Sequence, residues 1–491
     1  RAPIQKESFI CMSESVLQAI VRTARQDPDR PALSDATGIV SYRALANRIE
    51  KFAAQLSPYR QRCVVIDMDN SPDWVVADLA CMQAGAIVVP LPPFFSPAQR
   101  ANALSQSGAA AIIGPRMTLT TTPETYANEA AVIPEGSAKI TYTSGTTAAP
   151  KGVCLNLSGM VGVARSIATL LDHRVADKTA CLLPLGVLLE NIAGCYASIL
   201  AGGCYDVRPQ AEIGLGPAAM PDFERLAHYL AESGATSCIL VPELLRGLLM
   251  AIWKSGLSLP AMRFMAVGGS KVSATLLDGA AALGLPVYQG YGLSECASVV
   301  TLNIPEANEP GSVGKPLPHI RLSVATDGEI LVHDPAFCGY LGAAPPEPVY
   351  RTGDLGHMDG NGFLFITGRK KNVLILSSGR NISPEWPESE LLTRPEILQC
   401  LVLGDAAPQL SALIVPTSDA LRDADLQGAI DAVNAGLPPY ARIAHWHRIA
   451  PFTQDAGLLT GTGRPRRDAI LNTYRELISD QNTENTDAAI L

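Results

Sequence analysis

Between residues 63 and 91 the chain reads strand, helix, strand, and that order limits the folds open to it. "CVVIDM" is a short β-branched run of the kind that forms a buried strand. "SPDWVVADLACMQAG" follows, with Ser71 as N-cap, Pro72 in the first turn and Gly85 as the stop, which predicts a helix. "AIVVPL" then gives a second strand. Strands joined through a helix at this spacing call for a mainly parallel sheet with helices on both faces. The alternation returns in "AAAIIG", in a helix over 157–171, and in "ATSCILV", "RFMAVGG" and "LPVYQGY".

Residues 14–60 read as helices broken by the Pro-rich turn "DPDRPAL". After about residue 310 the texture changes. "IRLSV", "EILVH" and "GFLFITG" are short runs separated by Gly and Asp turns, which predicts antiparallel β structure. From 370 onward "NVLILSSG", "CLVLGD" and "SALIVP" alternate with helical patterns, as in a small α+β unit. The fold class is therefore α/β, and 491 residues give room for roughly two to four domains.

Composition narrows the function. A formal charge of −9 argues against a nucleic-acid surface, which needs a basic face. No basic amphipathic helix speaks for a membrane surface. Eleven cysteines form no CxxC pair and no zinc spacing, and most lie in apolar runs, as small hydrophobes do in a reducing compartment. The opening "RAPIQKESFICMSES" lacks a basic region followed by an apolar core. The longest apolar stretch, 182–204, is interrupted by Pro184, Glu190 and Asn191, so it does not read as a membrane span. These features lead to the expectation of a cytoplasmic protein. His445 and His447 alternate on one strand face with no third ligand in the sequence, so no metal site is read there.

One polar stretch stands out between apolar runs. "KITYT" and "GVCLNL" alternate like strands and flank the loop of "YTSGTTAAPKGV", residues 142–153. Gly145 supplies backbone freedom, the hydroxyls and consecutive N–H groups can line an anion-binding concavity, and Lys151 adds a positive charge. It is not a Walker A loop, because GxxxxGK[ST] is absent and a strand, not a helix, follows.

The same stretch closely resembles the phosphate loop of the adenylate-forming superfamily, which holds acyl- and aryl-CoA synthetases, peptide-synthetase adenylation domains and luciferases. Further motifs follow in that family's order: "GYGLSE" (290–295), "YRTGDLG" (350–356), "GRKKNVLILSSGRNISP" (368–384) and "GLLTGTGRPRRDAI" (457–470). The resemblance implies a large N-terminal domain over 1–370, of mainly parallel sheets with a β subdomain, and a small mobile C-terminal domain over 371–491. It implies that ATP activates a carboxylic acid to an acyl-adenylate, releasing pyrophosphate. The acyl group then passes to the thiol of CoA or of a carrier protein's phosphopantetheine.

Residue roles follow from the same resemblance. Thr143, Ser144, Gly145, Thr146, Thr147 and Lys151 would hold the β- and γ-phosphates. Gly290 and Gly292 let backbone approach a flat ligand, Tyr291 would stack on adenine, Ser294 would reach the α-phosphate and Glu295 would hold Mg²⁺. Asp354 would accept the ribose hydroxyls, with Arg369 beside it. Lys371 falls at the hinge, and Gly379 resembles the glycine that lines the pantetheine tunnel after rotation. Asp359 reads as a turn residue. Gly268, Gly269 and Ser270 would border the acid, with Val187 and Leu188 as an aliphatic gate where the family commonly has histidine or an aromatic residue. An apolar gate suits an aliphatic or aromatic acid.

Two departures lie near the phosphates. Ala148 replaces a glycine, and Arg464, after Gly463, stands where the family has the lysine that bridges acid and nucleotide. Arginine keeps the charge but presents it in a planar fork, so the exchange is not conservative. Arg466 and Arg467 read as solvated surface charges. Arg464 keeps open an adenylating enzyme with another acceptor, forming an amide, a β-lactone or a diazo product; a separate reading is a catalytically weak nucleotide-binding protein that retains only the ATP site. Replacing Arg464 by lysine is expected to preserve or raise acid-dependent pyrophosphate release. A hundredfold loss would show that the guanidinium has a task of its own.

Overall fold

The computed structural model describes residues 14–123, 126, 131–143, 150–172, 177–216, 221–460, 463–475 and 477. The strand–helix–strand unit forms as its residues require. Cys63–Ile66 and Ile87–Pro90 are parallel neighbours, joined by the helix Pro72–Ala84. Ser71 Oγ accepts from the Trp74 N–H at 3.2 Å, and Gly85 ends the helix at φ 70°. Residues 74–81 of this helix are all buried, because other elements pack around its whole circumference.

Two large sheets organise the N-terminal part. In the nine-stranded sheet, strands Val287–Tyr291, Phe264–Val267, Ser237–Leu240, Lys178–Ala180, Cys204–Asp206 and Pro31–Ser34 run parallel, with short antiparallel strands at both edges. In the seven-stranded sheet the central strands are parallel, and Ser137–Thr143 turns back antiparallel into Lys151–Asn156. The main hydrophobic core lies between the sheets and takes in the helix Leu157–Leu171. The outer face of the nine-stranded sheet is covered by Phe223–Ser233, Pro242–Ser255 and Ala274–Ala282. Helix layers thus alternate with sheets, as parallel strands buried on both faces demand.

Past residue 320 the expected antiparallel unit appears, with strands Arg321–Val324, Glu329–His333, Val349–Met358 and Leu364–Arg369 in one four-stranded sheet. The C-terminal part is built on Ile397–Leu403, Leu410–Pro416 and Ile443–Arg448, packed with helices such as Asp423–Gly436. His445 and His447 lie on the last of these strands.

Three readings need correction. Pro31–Ser34, taken as part of a turn, is a strand, because its partner Cys204–Asp206 lies far along the chain. "NVLILSSG" contributes only the two-residue strand Leu374–Ile375. Arg467 is not a solvated charge. It pairs with Glu388 and donates to the Val402 carbonyl at 2.7 Å, with both side chains of the pair largely buried.

A polar knot sits within the main core. Asp78 on the helix Pro72–Ala84 and Lys139 on the strand Ser137–Thr143 lie 2.8 Å apart, each with 1% of its side chain exposed. Lys139 also donates to Asn191 and, at 3.1 Å, to the Tyr196 hydroxyl, and it stands 5.1 Å from the centre of the Tyr196 ring. Asn191 and Tyr196 in turn donate to Asp78 at 3.1 and 2.6 Å. Desolvating two charges costs several kcal/mol each, and only this set of partners offsets it. Lys139→Met should therefore destabilise the protein by about 3–5 kcal/mol in urea unfolding. The double variant Asp78→Leu/Lys139→Met should regain most of that loss.

Candidate active site

The C-terminal ends of parallel strands in such sheets open onto crevices. Here Gly268–Ser270 follow Phe264–Val267, and Tyr291 ends Val287–Tyr291. Between these ends, the four-stranded sheet and the C-terminal part lies a cleft of about 2260 Å³. Thr143, Lys151, Val187, Leu188, Gly268, Gly269, Ser270, Gly290, Tyr291, Gly292, Ser294, Glu295, Asp354, Arg369, Lys371 and Arg464 all line it. Apart from Gly379, the described residues singled out for the site from sequence are thus in one place. Ser144, Gly145, Thr146, Thr147 and Ala148 fall outside the described residues, between the two strands predicted to flank them.

At one wall, Asp354 is 5% exposed and both of its oxygens are engaged: Tyr291 donates to one at 2.7 Å and Arg369 pairs with the other at 2.9 Å. Nearby, Glu295 sits in the short turn Ser294–Cys296 and accepts from the Tyr340 hydroxyl at 2.7 Å. Burial pushes the Tyr340 phenol up to about 12, so it remains the donor. The Lys151 ammonium stands 5.5 Å from the centre of the same Tyr340 ring. Tyr340 thereby joins the loop lysine to the acidic turn, a role that sequence reading missed. Its strand Phe337–Tyr340 reaches this point only by pairing with Lys151–Asn156.

Arg464 enters from the C-terminal part. Its loop is pinned where the Thr460 hydroxyl accepts from the Arg464 N–H at 3.0 Å and Thr460 N–H donates to the Arg464 carbonyl at 2.8 Å. The guanidinium donates to the Gly269 carbonyl. Gly269 has φ +92°, and a Cβ there would lie 3.2 Å from the Arg464 side chain, so both backbone angle and space select glycine. At Gly292 the demand is stronger, since a Cβ would sit 1.6 Å from the Ser298 carbonyl oxygen. Water in the open cleft reaches Arg464, but protein surrounds it on most sides. That desolvation, with Arg369 close by, lowers its pKa from the ordinary arginine value. Lys371 is lowered likewise, first by burial and then by Arg369, with Lys151 adding to the effect. Four cations from three motifs therefore crowd one space and repel one another, an arrangement suited to a polyanion.

Val187 and Leu188 precede a π-helical segment, Leu189–Tyr196, that walls the inner end of the cleft. Glu190 on this segment is fully buried. It accepts from the Leu183 N–H at 2.9 Å and from the Tyr205 hydroxyl at 2.6 Å. Both bonds favour the ionised carboxylate, but burial outweighs them and pushes the carboxyl up to about 7. The only signal in the sequence was a Glu-Asn pair interrupting an apolar run. Asp359 is the expected turn residue, accepting from the Asn361 and Phe363 N–H groups. Gly379, at φ +75°, turns a short hairpin and is not among the residues that border the cleft.

Residues 20–340 match the AMP-binding enzyme family, and residues 371–485 match the AMP-binding enzyme C-terminal domain. The chain is 30% identical over 429 residues to the long-chain-fatty-acid–CoA ligase FadD15 of Mycobacterium bovis, covering 72% of this chain and 70% of that protein. It is 28% identical over 431 residues to the 2-succinylbenzoate–CoA ligase of Bacillus velezensis, covering 79% and 85%. Its fold is similar to that of O-succinylbenzoate coenzyme A synthetase (MenE) from Bacillus subtilis, solved in complex with AMP, with a TM-score of 0.74. That match has 22% identity and covers 92% of this chain and 97% of the other. Among the described residues, no helix is long and apolar enough to cross a membrane.

The raised Glu190 carboxyl has a consequence for stability. Unfolded chain releases this proton near 4.5, whereas folded protein holds it until about 7. Its contribution is complete at low pH and is lost as pH rises through about 7. Glu190→Gln keeps an oxygen for Leu183 and lets Tyr205 turn its hydroxyl. Relative to that variant, the parent should lose about 3 kcal/mol of urea stability between pH 4.5 and pH 8.

Proposed function

We propose, because this chain belongs to the AMP-binding enzyme family, that it is an ATP-dependent ligase joining a carboxylic acid to the thiol of CoA. The observation that carries this reading is the convergence of Lys151, Arg369, Lys371 and Arg464 on the cleft that also holds Asp354. Such a site fits a nucleoside triphosphate: cations for the phosphates and a fixed carboxylate for the ribose hydroxyls.

In the first step a carboxylate oxygen attacks the α-phosphorus of ATP, the bond to the β-phosphate breaks, and pyrophosphate leaves. Chemistry of this kind depends more on neutralising and positioning charge than on a protein nucleophile. Residues 143–147 with Lys151 hold the β- and γ-phosphates. Tyr291 faces the adenine, Asp354 and Arg369 fix the ribose, and Ser294 meets the α-phosphate. Glu295 supplies a carboxylate of the type that holds Mg²⁺ with phosphate oxygens, and the ion would neutralise phosphate charge. Arg464, resting on the Gly269 carbonyl, brings a permanent positive charge beside Gly268–Ser270, where the acid's carboxylate lies. Val187 and Leu188 border its aliphatic or aromatic body. In the second step the thiol sulfur attacks the acyl carbon, the bond to AMP breaks, and the thiol proton leaves to solvent. Between the steps the C-terminal domain turns about Lys371, withdrawing Arg464 and bringing Gly379 toward the pantetheine.

Pyrophosphate release measured over a panel of acids, with and without CoA, tests this. Acid-dependent release and a CoA thioester identified by mass are expected. Release with no thioester, even with a pantetheinyl carrier protein supplied, would point to another acceptor. No release with any acid would leave a nucleotide-binding protein.

A further inference from the structure

The inner arm of the cleft follows the strands of the nine-stranded sheet. Ser237 pairs with Thr179 on one side and Phe264 on the other, and Ile239 pairs with Ala266 two residues further on. Side chains alternate along a strand, so Thr179, Ser237 and Phe264 form one row on one face, Ile239 and Ala266 the next, and Val241 and Gly268 the third. The packing agrees, since Ile239 and Phe264 face the central core while Cys238 and Met265 face the outer one. All three rows border the cleft. Ile167 and Leu171 of the helix Leu157–Leu171, with Leu188 and Ala193, form the opposite wall.

The walls between the first and third rows are apolar, and small residues at Ala193, Ala266 and Gly268 leave the space unfilled. Its inner end is different. There the Thr179 and Ser237 hydroxyls lie 2.9 Å apart, each residue about 2% exposed. Two steps of two residues place this pair about 13 Å from the Gly268 row. At roughly 1.3 Å of projected length per carbon, that distance takes about ten carbons.

We propose that the acid is an unbranched aliphatic carboxylic acid of about ten carbons bearing a hydroxyl at its far end, which Thr179 and Ser237 recognise. This rests on the ligase reading and specifies its substrate. Hydroxyls turn to donate or accept, so the pair can adapt to an incoming hydroxyl. An incoming hydroxyl adds a hydrogen bond to this bonded pair in a place bulk water does not reach, and a chain ending in a methyl group cannot.

The test compares pyrophosphate release by the full chain with decanoic acid and with 10-hydroxydecanoic acid, each as kcat/KM. A tenfold or greater preference for the hydroxy acid is expected, and Thr179→Val/Ser237→Ala should abolish or invert it. Equal use of both acids, or a preference that the double variant leaves unchanged, would overturn the proposal and reduce the pair to a cross-strand bond of the sheet. Should the double variant fail to fold, Thr179→Val alone serves, being close in shape. If no acid is turned over, the ligase reading fails by itself. The melting temperature of the parent protein with each of the two acids, in the presence of AMP, then decides the recognition: a larger rise with the hydroxy acid supports it, and equal rises or none overturn it.

Discussion

The buried pair Asp78–Lys139 joins three elements that the site needs in fixed relation. Lys139 stands on the strand that leads into the loop before Lys151. Asp78 stands on the helix of the first strand–helix–strand unit, and Asn191 and Tyr196 stand on the π-helical wall of the inner cleft. An apolar core tolerates small shifts of packing, whereas a charge pair with every partner in place admits few arrangements. The strand beside Lys151 and the π-helical wall of the cleft are thus held in register by one polar cluster.

At the other end of the site the forces are reversed. Lys151, Arg369, Lys371 and Arg464 line one space, and the lowered values of Lys371 and Arg464 record the cost of that crowding and burial. A triphosphate would offset that repulsion, so the crowded cations favour a polyanionic ligand. Arginine in place of the family's lysine fits this picture in one respect. A guanidinium resists losing its proton where burial and neighbouring cations would neutralise an ammonium.

Sequence reading was strongest where the signal is local. The helix Pro72–Ala84 carried its own cap, first-turn proline and stop, and it formed within those limits. The five motifs were legible because each keeps its chemistry within a few consecutive residues. Contacts made by pairing distant segments were not legible. Tyr340 reaches Glu295 through a strand that joins the loop hairpin from nearly two hundred residues away. Lys139 drew no reading of its own in the alternating strand, and Arg467 looked like a surface charge, because the sequence names no partner for either. Pro31–Ser34 is a strand only because Cys204–Asp206 lies beside it.

The central claim is that nucleotide is gripped by both parts of the chain at once, with Arg464 reaching across. Hydrogen exchange of the full chain, followed by mass spectrometry with and without ATP and Mg²⁺, tests this most directly. The account predicts that ATP slows exchange together in 287–296, in 350–369 and in 458–467. Protection confined to the first two segments, with 458–467 unchanged, would contradict it.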